Sequence, residues 1–286
     1  MNIPFWSIPY LNHPKGVGCD FSGTILRAGS DSGYAEGDEV FGLQMAPGGA
    51  AGVSGTCAEV VTFDVAKGTT MMRKPREWSW NQAAALPLVW LTARTCIERV
   101  NDYVKEGGTV AVLGGSSATG MYTVHLAKER GWKVVATCSD RNEEFVRSWG
   151  AERVVDYTKE SVPEKVREAR PDAIIDCVGG TECIGIAKRY VTIVGDKTSR
   201  SVMGGPASYF FTPRMVVRWF WGYMGWGEKY DCVILEGKNE YLEEATRLPQ
   251  DKIQIDSTYE FDDLKKALER LNTSRARGKV VIEVAK

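Results

Sequence analysis

Hydrophobic and polar positions change their pattern near residue 109 of the chain. From there on, short apolar runs alternate with segments of helical spacing, starting with a strand over Thr109 to Leu113 and a helix over Met121 to Arg130. Apolar strands that alternate with amphipathic helices form parallel sheets covered on both faces. This part of the chain is therefore predicted to be a doubly wound α/β domain. Its further elements are, in order, KVVATCS, EEFVRSWG, RVVDY, VPEKVREA, DAIIDCVGG, a helical segment near Cys183 to Arg189, and YVTIVG.

The residues before this domain are rich in glycine and in short β-like runs. Three such runs, DFSGTILRAGS, EGDEVFGLQ and GTCAEVVTFD, are separated by turn residues, which predicts a small antiparallel barrel or meander. PGGAAGVSG at 47–55 is predicted to be a loop between two strands. Ser79 is a predicted helix N-cap, and Pro87 separates one helix from the next.

The end of the chain is again rich in β-like sequence. Helices are predicted over LEEATRL and FDDLKKALERL, with KIQIDSTYEF between them, and GKVVIEV closes the chain as a strand, so the chain is expected to return to its first domain. Before this ending, Ser208 to Trp226 is dense in aromatic residues. Because Arg214 and Arg218 interrupt its apolar face, a helix over a cleft or a subunit interface is favoured over a membrane-surface helix.

The composition indicates a globular protein that binds small molecules. Because 36 basic residues stand against 37 acidic ones, the net charge of -1 gives no basic surplus for binding nucleic acid. The seven cysteines are scattered and odd in number, which is typical of a reduced intracellular chain. No signal peptide and no apolar run long enough to span a membrane are found, so a cytoplasmic location is predicted, or a mitochondrial one if the natural N-terminus is longer.

The stretch GGSSATG at 114–120 joins the first strand of the α/β domain to its helix. A strand, a tight turn of small residues and a helix are typical of nucleotide binding, because backbone N–H groups and the helix N-terminus face the phosphates. The alternative is an ordinary glycine-rich turn between a buried strand and a helix. The candidate phosphate-binding residues are Ser116, Ser117, Ala118, Thr119 and Gly120.

The residues after the second strand of this domain bear on the choice of cofactor. Asp140 lies twenty residues after Gly120, where a carboxylate binds the ribose hydroxyls of NAD. Ser139 at the strand tip and Arg141 just beyond it offer instead a hydroxyl and a guanidinium, which suit a 2′-phosphate. NADP is therefore favoured over NAD.

A series of motifs in one order covers nearly the whole chain: GCDFSGTILRAG, EGDEVFG, AEVV, QAAALPLVWLTA, VLGGSSATG, WGAERVVDY, DCVGG and ARGKVVIEV. Together they resemble the medium-chain dehydrogenase/reductase superfamily, specifically its zinc-independent quinone and enoyl reductase branch, and within it reticulon-interacting mitochondrial oxidoreductases and fungal trans-acting enoyl reductases. The resemblance implies a GroES-like catalytic domain made from residues 1–85 and 252–286. It also implies a Rossmann domain over 86–251 with NADP(H) as cofactor, and a homodimer.

The resemblance further implies roles for single residues. In similar reductases a serine, a basic residue and the tyrosine of the motif G-A-x-x-x-x-D-Y surround the 2′-phosphate, which here correspond to Ser139, Arg141 and Tyr157. Ser117 and Ala118 stand where many relatives have glycines, and their Cβ atoms narrow the approach of a phosphate to the backbone. The other implied cofactor contacts are Thr92 near the nicotinamide ribose, Val178 and Gly179 after the fourth strand, Val194 after the next strand, and Arg277.

A zinc site is not expected in this sequence. A zinc-dependent alcohol dehydrogenase carries G-H-E-x-x-G where this chain has GCDFSG, and the C-x-x-C-x-x-C lobe is absent. Cys19 and Asp20 alone do not make a four-ligand site. Without metal, the protein orients a hydride transfer from the nicotinamide and supplies a proton, for which Tyr10 and Cys19 are the candidate donors.

Two functions from different classes remain open. The first is NADPH-dependent reduction of an α,β-unsaturated carbonyl or a quinone, with a small-molecule substrate or an acyl chain on a carrier. Relatives usually carry an additional β-hairpin before the stretch that matches Pro9 to Gly23, so a truncated or reduced catalytic domain is expected. The second function is therefore a non-redox binding module, cyclase or partner of a biosynthetic enzyme that keeps the fold.

Overall fold

The computed structural model describes residues 16–44, 55–66, 68–196 and 213–285. Tyr10 and most of the loop predicted at 47–55 lie outside these ranges. The strands are β1 Asp20–Thr24, β2 Glu39–Gln44, β3 Thr69–Arg73, β4 Thr109–Leu113, β5 Lys133–Cys138, β6 Arg153–Asp156, β7 Ala173–Asp176, β8 Arg189–Thr192, β9 Lys229–Cys232, β10 Ile255–Glu260 and β11 Lys279–Glu283. The α-helices are α1 Trp80–Ala85, α2 Pro87–Val100, α3 Ala118–Glu129, α4 Glu143–Ser148, α5 Val162–Ala169, α6 Pro213–Tyr223, α7 Asn239–Ala245 and α8 Leu264–Asn272, and short 3₁₀ helices cover Asp140–Asn142, Gln250–Lys252 and Phe261–Asp263.

The chain divides into two compact units. One contains Thr92–Leu235, and the other combines the described part of residues 4–91 with that of residues 236–286. The boundary between them falls inside α2. The early and the late parts of the chain therefore share one unit.

The unit over Thr92–Leu235 is built on a six-stranded sheet with the strand order β6-β5-β4-β7-β8-β9. Every neighbouring pair in this sheet is parallel. Every residue of β7 is buried, and so are four of the five residues of β4, because helices cover both faces of the sheet. This order is that of the doubly wound fold predicted from the sequence, and it reverses between β4 and β7. Ligands of such sheets bind at the carboxyl ends of the strands beside that reversal.

The connection between β7 and β8, residues 177–188, corrects one sequence prediction. A helix is predicted near Cys183 to Arg189, but these residues form turns, and Arg189 already begins β8. Gly185 adopts a φ of +84°, which a continuous right-handed helix does not accommodate. The apolar residues of the segment still face the protein, since Cys183 and Ile184 pack against the core cluster that contains Tyr190.

In the other unit, β1, β2 and β3 form an antiparallel meander, as the first part of the sequence predicts. The third strand is nevertheless not the predicted run GTCAEVVTFD but Thr69–Arg73. The N–H groups of Thr56 and Cys57 donate to the carbonyls of Gly18 and Val17, at 3.2 and 2.9 Å, and this pairing does not continue into a strand. Val60 is 67% exposed, whereas Phe63 stacks on Phe21 of β1 with ring centroids 4.3 Å apart, so the run packs against the meander without adding a strand to it. Strands β10 and β11 form a separate parallel pair.

Polar contacts join distant segments of this second unit. One carboxylate oxygen of Asp20 accepts a hydrogen bond from Lys279 Nζ at 2.5 Å, and the other accepts one from the N–H of Leu88 at 2.6 Å. The carboxylate of Asp20 therefore links β1 to β11 and to the N-terminus of α2.

Helix α1 begins as predicted after the N-cap Ser79, which forms a capping box with Gln82.

Helix α6 carries much of the predicted aromatic stretch and buries only a narrow stripe. Met215 and Gly222 are buried, and Arg218 between them pairs with Asp196 at 2.6 Å. Large apolar side chains cover most of its remaining surface and the turn that follows. Those exposed are Val216, Val217, Trp219, Phe220, Trp221, Tyr223, Met224 and Trp226. Among the helices of the described ranges, none has the length and hydropathy needed to cross a bilayer.

Candidate functional site

The loop between β4 and α3 forms the centre of the candidate site. Gly114 adopts a φ of +82°, which favours glycine, and a Cβ there would lie 2.3 Å from Val178 Cγ1. A Cβ on Gly120 would lie 2.1 Å from the carbonyl oxygen of Gly114. Both glycines are therefore required for the close approach of the loop to α3 and to the end of β7.

The N-terminus of α3 presents backbone donors at this loop. The helix begins at Ala118 rather than at the predicted Met121, and Ser117 is its N-cap, with Oγ accepting a hydrogen bond from the N–H of Gly120 at 3.0 Å. Within the described ranges, no hydrogen bond engages the N–H groups of Ser116, Ala118 and Thr119. Because the positive end of the helix dipole adds to these donors, they fit the oxygens of a phosphate group.

Asp176, at the end of β7, is a site residue that the sequence analysis missed. One of its carboxylate oxygens accepts hydrogen bonds from the N–H groups of Val178 and Gly179, at 3.0 and 2.8 Å. The other accepts a hydrogen bond from the hydroxyl of Thr192 at 2.8 Å. Burial raises the pKa of this carboxyl group above its ordinary value, while the hydrogen bonds from Val178 and Gly179 lower it.

Thr192, at the end of β8, repeats this arrangement one strand away. Its Oγ1 accepts hydrogen bonds from the N–H groups of Val194 and Gly195, at 3.2 and 2.9 Å. The backbone donors of both predicted cofactor loops are thus already engaged, and the loops offer a ligand their side chains and carbonyl oxygens. No local signal in the sequence could have found the pair, because the contact depends on the parallel register of the two strands, which places Asp176 opposite Thr192.

The ends of β5 and β6 bring the residues predicted for the 2′-phosphate to one edge of the sheet. The two strands pair in parallel up to their last residues, so Ser139 and Tyr157 follow at the same edge. Asp140 and Arg141 lie in the 3₁₀ turn after Ser139, and both are exposed. Lys159, which the sequence analysis did not single out, lies with its Nζ 2.9 Å from Asp140 Oδ2.

Comparison with known proteins identifies the family of this fold. The family profile described as zinc-binding dehydrogenase matches residues 149–282. The mitochondrial NAD(P)H oxidoreductase RTN4IP1 of Mus musculus is 31% identical over 292 residues, which cover 95% of this chain and 71% of that relative. The chain belongs to the medium-chain dehydrogenase/reductase superfamily.

Other members of the superfamily support the branch expected from the motifs. The trans-enoyl reductase xenG of Xenoacremonium sinensis is 33% identical over 177 residues, which cover 57% of this chain and 47% of that relative. The solved quinone oxidoreductase of Coxiella burnetii has a TM-score of 0.74 and 25% identity, covering 96% of this chain and 81% of that structure. The predicted fold class is confirmed: a Rossmann sheet, together with a GroES-like β-rich part built from both chain ends.

The name of the matching family profile raises the question of zinc, which the described residues do not fit. Asp20, in the motif GCDFSG, has its two carboxylate oxygens engaged by Lys279 and by the N–H of Leu88. Across the described part of the chain, no group of three or more histidine, cysteine, aspartate or glutamate side chains is arranged to hold a metal ion. Cys19 beside Asp20 is exposed, but partial burial of its thiol, followed by the charge of Asp20, raises the pKa of the thiol.

The remaining residues predicted to bind the cofactor or to donate a proton are distributed over both units. Thr92 is buried in α2 and belongs to the unit that contains the Rossmann sheet. Arg277 belongs to the GroES-like unit, where its side chain is exposed and its N–H donates to Asp256 at 2.8 Å. Cys19 belongs to that unit as well.

Proposed function

We propose that the protein is an NADPH-dependent oxidoreductase that transfers hydride, without a metal, to an α,β-unsaturated carbonyl compound or a quinone. The observation that carries this proposal is the set of unengaged N–H groups of Ser116, Ala118 and Thr119 at the N-terminus of α3. Such donors suit the pyrophosphate of a dinucleotide. The NAD(P)H oxidoreductase and the trans-enoyl reductase among the relatives support a nicotinamide cofactor and an activated double bond as substrate.

NADP(H) is proposed rather than NAD(H) because of the side chains at the ends of β5 and β6. Ser139 and Tyr157 supply hydroxyls there, and Arg141 supplies a guanidinium, which is the usual partner of a phosphate. In this proposal residues 86–251 bind the cofactor, and residues 1–85 with 252–286 form the catalytic domain. The further cofactor contacts proposed are Thr92, Ser117, Gly120, Val178, Gly179, Val194 and Arg277.

The chain's own residues then have to orient the reactants and supply a proton. When bound, the nicotinamide supplies the hydride. The proposed proton donors are the thiol of Cys19 and the phenol of Tyr10. The raised pKa of Cys19 keeps its thiol protonated at neutral pH. A small molecule is the proposed substrate, and an acyl chain on a carrier is the larger alternative with the same double bond.

The test is to follow the oxidation of NADPH with a panel of enones, quinones and acyl thioesters. We expect turnover with at least one class of acceptor, and the same rate after treatment with a metal chelator. Calorimetry with NADPH runs in parallel. Binding of NADPH without turnover on any acceptor, or a folded protein that does not bind NADPH, contradicts the proposal and favours the non-redox binding module.

A second copy of the chain is the proposed partner, and α6 supports this. Helix α6 packs its buried Gly222 against β9, which is the last strand in the sheet order of the described residues, and it leaves its aromatic face exposed. Sedimentation velocity is expected to give twice the mass of one chain, and Phe220→Lys is expected to give a single chain; a monomeric native protein contradicts the proposal. Within the described residues no disulfide joins any of the seven cysteines, which supports a reducing compartment. This compartment is cytoplasmic or, as in the name of the mouse relative, mitochondrial, and imaging of the tagged protein tests the location.

A further inference from the structure

Lys159 lies on the turn after β6, at the edge proposed for the 2′-phosphate. Its Nζ is 2.9 Å from Asp140 Oδ2 and 3.6 Å from Asp156 Oδ2. The side chain of Asp140 is 65% exposed, whereas that of Asp156 is 12% exposed. The ammonium group therefore lies between a carboxylate that is mostly shielded from solvent and one that faces solvent.

The turn that carries Lys159 is held by Asp156. One carboxylate oxygen of Asp156 accepts hydrogen bonds from the N–H and the hydroxyl of Thr158, at 2.9 and 2.7 Å. The carbonyl oxygen of Asp156 accepts the N–H of Lys159 at 3.1 Å. The second carboxylate oxygen is buried and has no hydrogen-bond partner within the described ranges, so the neighbouring ammonium compensates its charge. These contacts fix the point from which the side chain of Lys159 extends to Asp140.

The pairing changes what Asp140 offers a dinucleotide. An uncovered carboxylate at this position accepts the ribose hydroxyls of NAD and repels a 2′-phosphate. The ammonium of Lys159 pairs with Asp140 and lies 3.6 Å from Asp156, at an edge where the carboxylate of Glu160 also accepts the N–H of Asp156 at 3.2 Å. Without Lys159 the same carboxylates lose this cation, and the edge becomes more negative. The hydrogen bond to Asp140 also raises the pKa of Lys159, which keeps its charge at neutral pH.

We propose that Lys159 determines cofactor specificity by covering the charge of Asp140, that is, by offsetting it through their ion pair, so that the edge accepts the 2′-phosphate of NADP instead of the free ribose hydroxyls of NAD. The inference rests on the proposed function, because it concerns the adenosine end of the same cofactor. It assigns the preference to a residue outside the set Ser139, Arg141 and Tyr157. It also explains the presence of a carboxylate at this edge, because the ion pair with Lys159 offsets the charge of Asp140.

The experiment measures calorimetric affinities for 2′,5′-ADP and 5′-ADP, which report the adenosine end alone. The wild-type protein is expected to bind 2′,5′-ADP more tightly. Lys159→Met is expected to weaken 2′,5′-ADP about tenfold or more and to change 5′-ADP by less than about threefold. Lys159→Arg is expected to keep the wild-type ratio of affinities. Lys128→Met is the matched control, because Lys128 forms an exposed ion pair with Glu152 at 3.2 Å in the same unit.

A second variant separates covering of Asp140 from simple loss of a cation. In Lys159→Met, the further change Asp140→Asn is expected to recover about threefold or more of the lost affinity for 2′,5′-ADP. No recovery overturns the masking role, and an unchanged ratio of affinities in Lys159→Met overturns the inference altogether. If the wild-type protein binds neither nucleotide, the proposed function itself fails. Failure of the proposed function is thereby distinguished from failure of the inference about Lys159.

Discussion

The carboxylate of Asp176 accepts a hydrogen bond from the hydroxyl of Thr192 at 2.8 Å, and this contact joins the loops after β7 and β8. Thr192→Val removes the donor to a buried carboxylate and the acceptor for two backbone N–H groups. We expect a loss of about 1–3 kcal/mol in the free energy of unfolding, measured in urea. Thr192→Ser keeps the hydroxyl and is expected to retain most of that stability.

The same variant tests whether these loops hold the nicotinamide half of the cofactor. Strands β7 and β8 lie on one side of β4, and β5 and β6 lie on the other. Thr192→Val is therefore expected to weaken NADPH about tenfold while leaving 2′,5′-ADP within about twofold, because this fragment lacks the nicotinamide half. Equal losses for both ligands contradict the assignment.

Gly120 packs so closely on the carbonyl oxygen of Gly114 that a methyl group must displace the loop. Gly120→Ala is expected to cost about 1–3 kcal/mol of stability and to abolish most NADPH binding. The control is Gly29→Ala, since a Cβ at Gly29 meets no atom within 4 Å. Urea unfolding and calorimetry check both variants, and wild-type affinity in Gly120→Ala contradicts the placement of the phosphates.

Two N-caps allow the effect of capping on stability to be separated from its effect on the ligand. Ser117 accepts the N–H of Gly120 at 3.0 Å, and Ser79 accepts the N–H of Gln82 at 3.1 Å. Replacing either serine by alanine is expected to cost about 1 kcal/mol in urea unfolding. Only Ser117→Ala is expected to weaken NADPH, by about threefold or more, because only that cap lies on the phosphate loop. A similar loss of NADPH affinity in Ser79→Ala contradicts this.

Glu228 makes stability depend on pH. Burial raises the pKa of its carboxyl group to about 7, although hydrogen bonds from the N–H groups of Gly185 and Ala187 lower it. Because the folded-state pKa lies above the unfolded value of 4.5, the stabilisation is complete below about pH 4.5 and is lost as the pH rises through 7.

The comparison that checks this is between the wild-type protein and Glu228→Gln. From pH 5 to pH 8, the free energy of unfolding of the wild-type protein is expected to fall relative to that of the variant, on the order of 1–2 kcal/mol after allowance for partial exposure. A difference between the two proteins that does not change with pH, in urea titrations at matched ionic strength, contradicts the assignment.

The charges near Cys19 shift the pKa of its thiol in opposite directions. Partial burial and then the carboxylate of Asp20 raise the pKa of the thiol, while the ammonium of Lys279 lowers it. Asp20→Asn is therefore expected to lower this pKa, and Lys279→Met to raise it. Alkylation of Cys19 as a function of pH, followed by mass spectrometry with Cys19→Ser as the blank, measures both shifts. Shifts of the same sign in the two variants contradict the ordering of charges.

The sequence by itself determined the elements and their class. The strand over Thr109 to Leu113, the capped helix after Ser79 and the alternation of strands and helices follow from local patterns, because burial on one or both faces imposes a fixed spacing of apolar residues. The same patterns failed for 177–188, where turns that include a glycine with positive φ take the place of a helix, and for GTCAEVVTFD, which packs Phe63 on Phe21 of β1 without forming a strand. An apolar run specifies burial, and only its neighbours decide its conformation.

Only the tertiary structure decided which side chains meet. Asp176 and Thr192 are sixteen residues apart, and Asp140 and Lys159 nineteen; each pair meets because neighbouring parallel strands end at one edge of the sheet. The spacing of residues along the chain contains neither the strand order nor the register. Ser117 shows the same limit, since the sequence indicates it only as a candidate phosphate-binding residue and the start of α3 at Ala118 makes it the helix cap. Local spacing of apolar residues therefore determines the helices and strands, and contacts between elements distant in sequence determine which side chains form the candidate site.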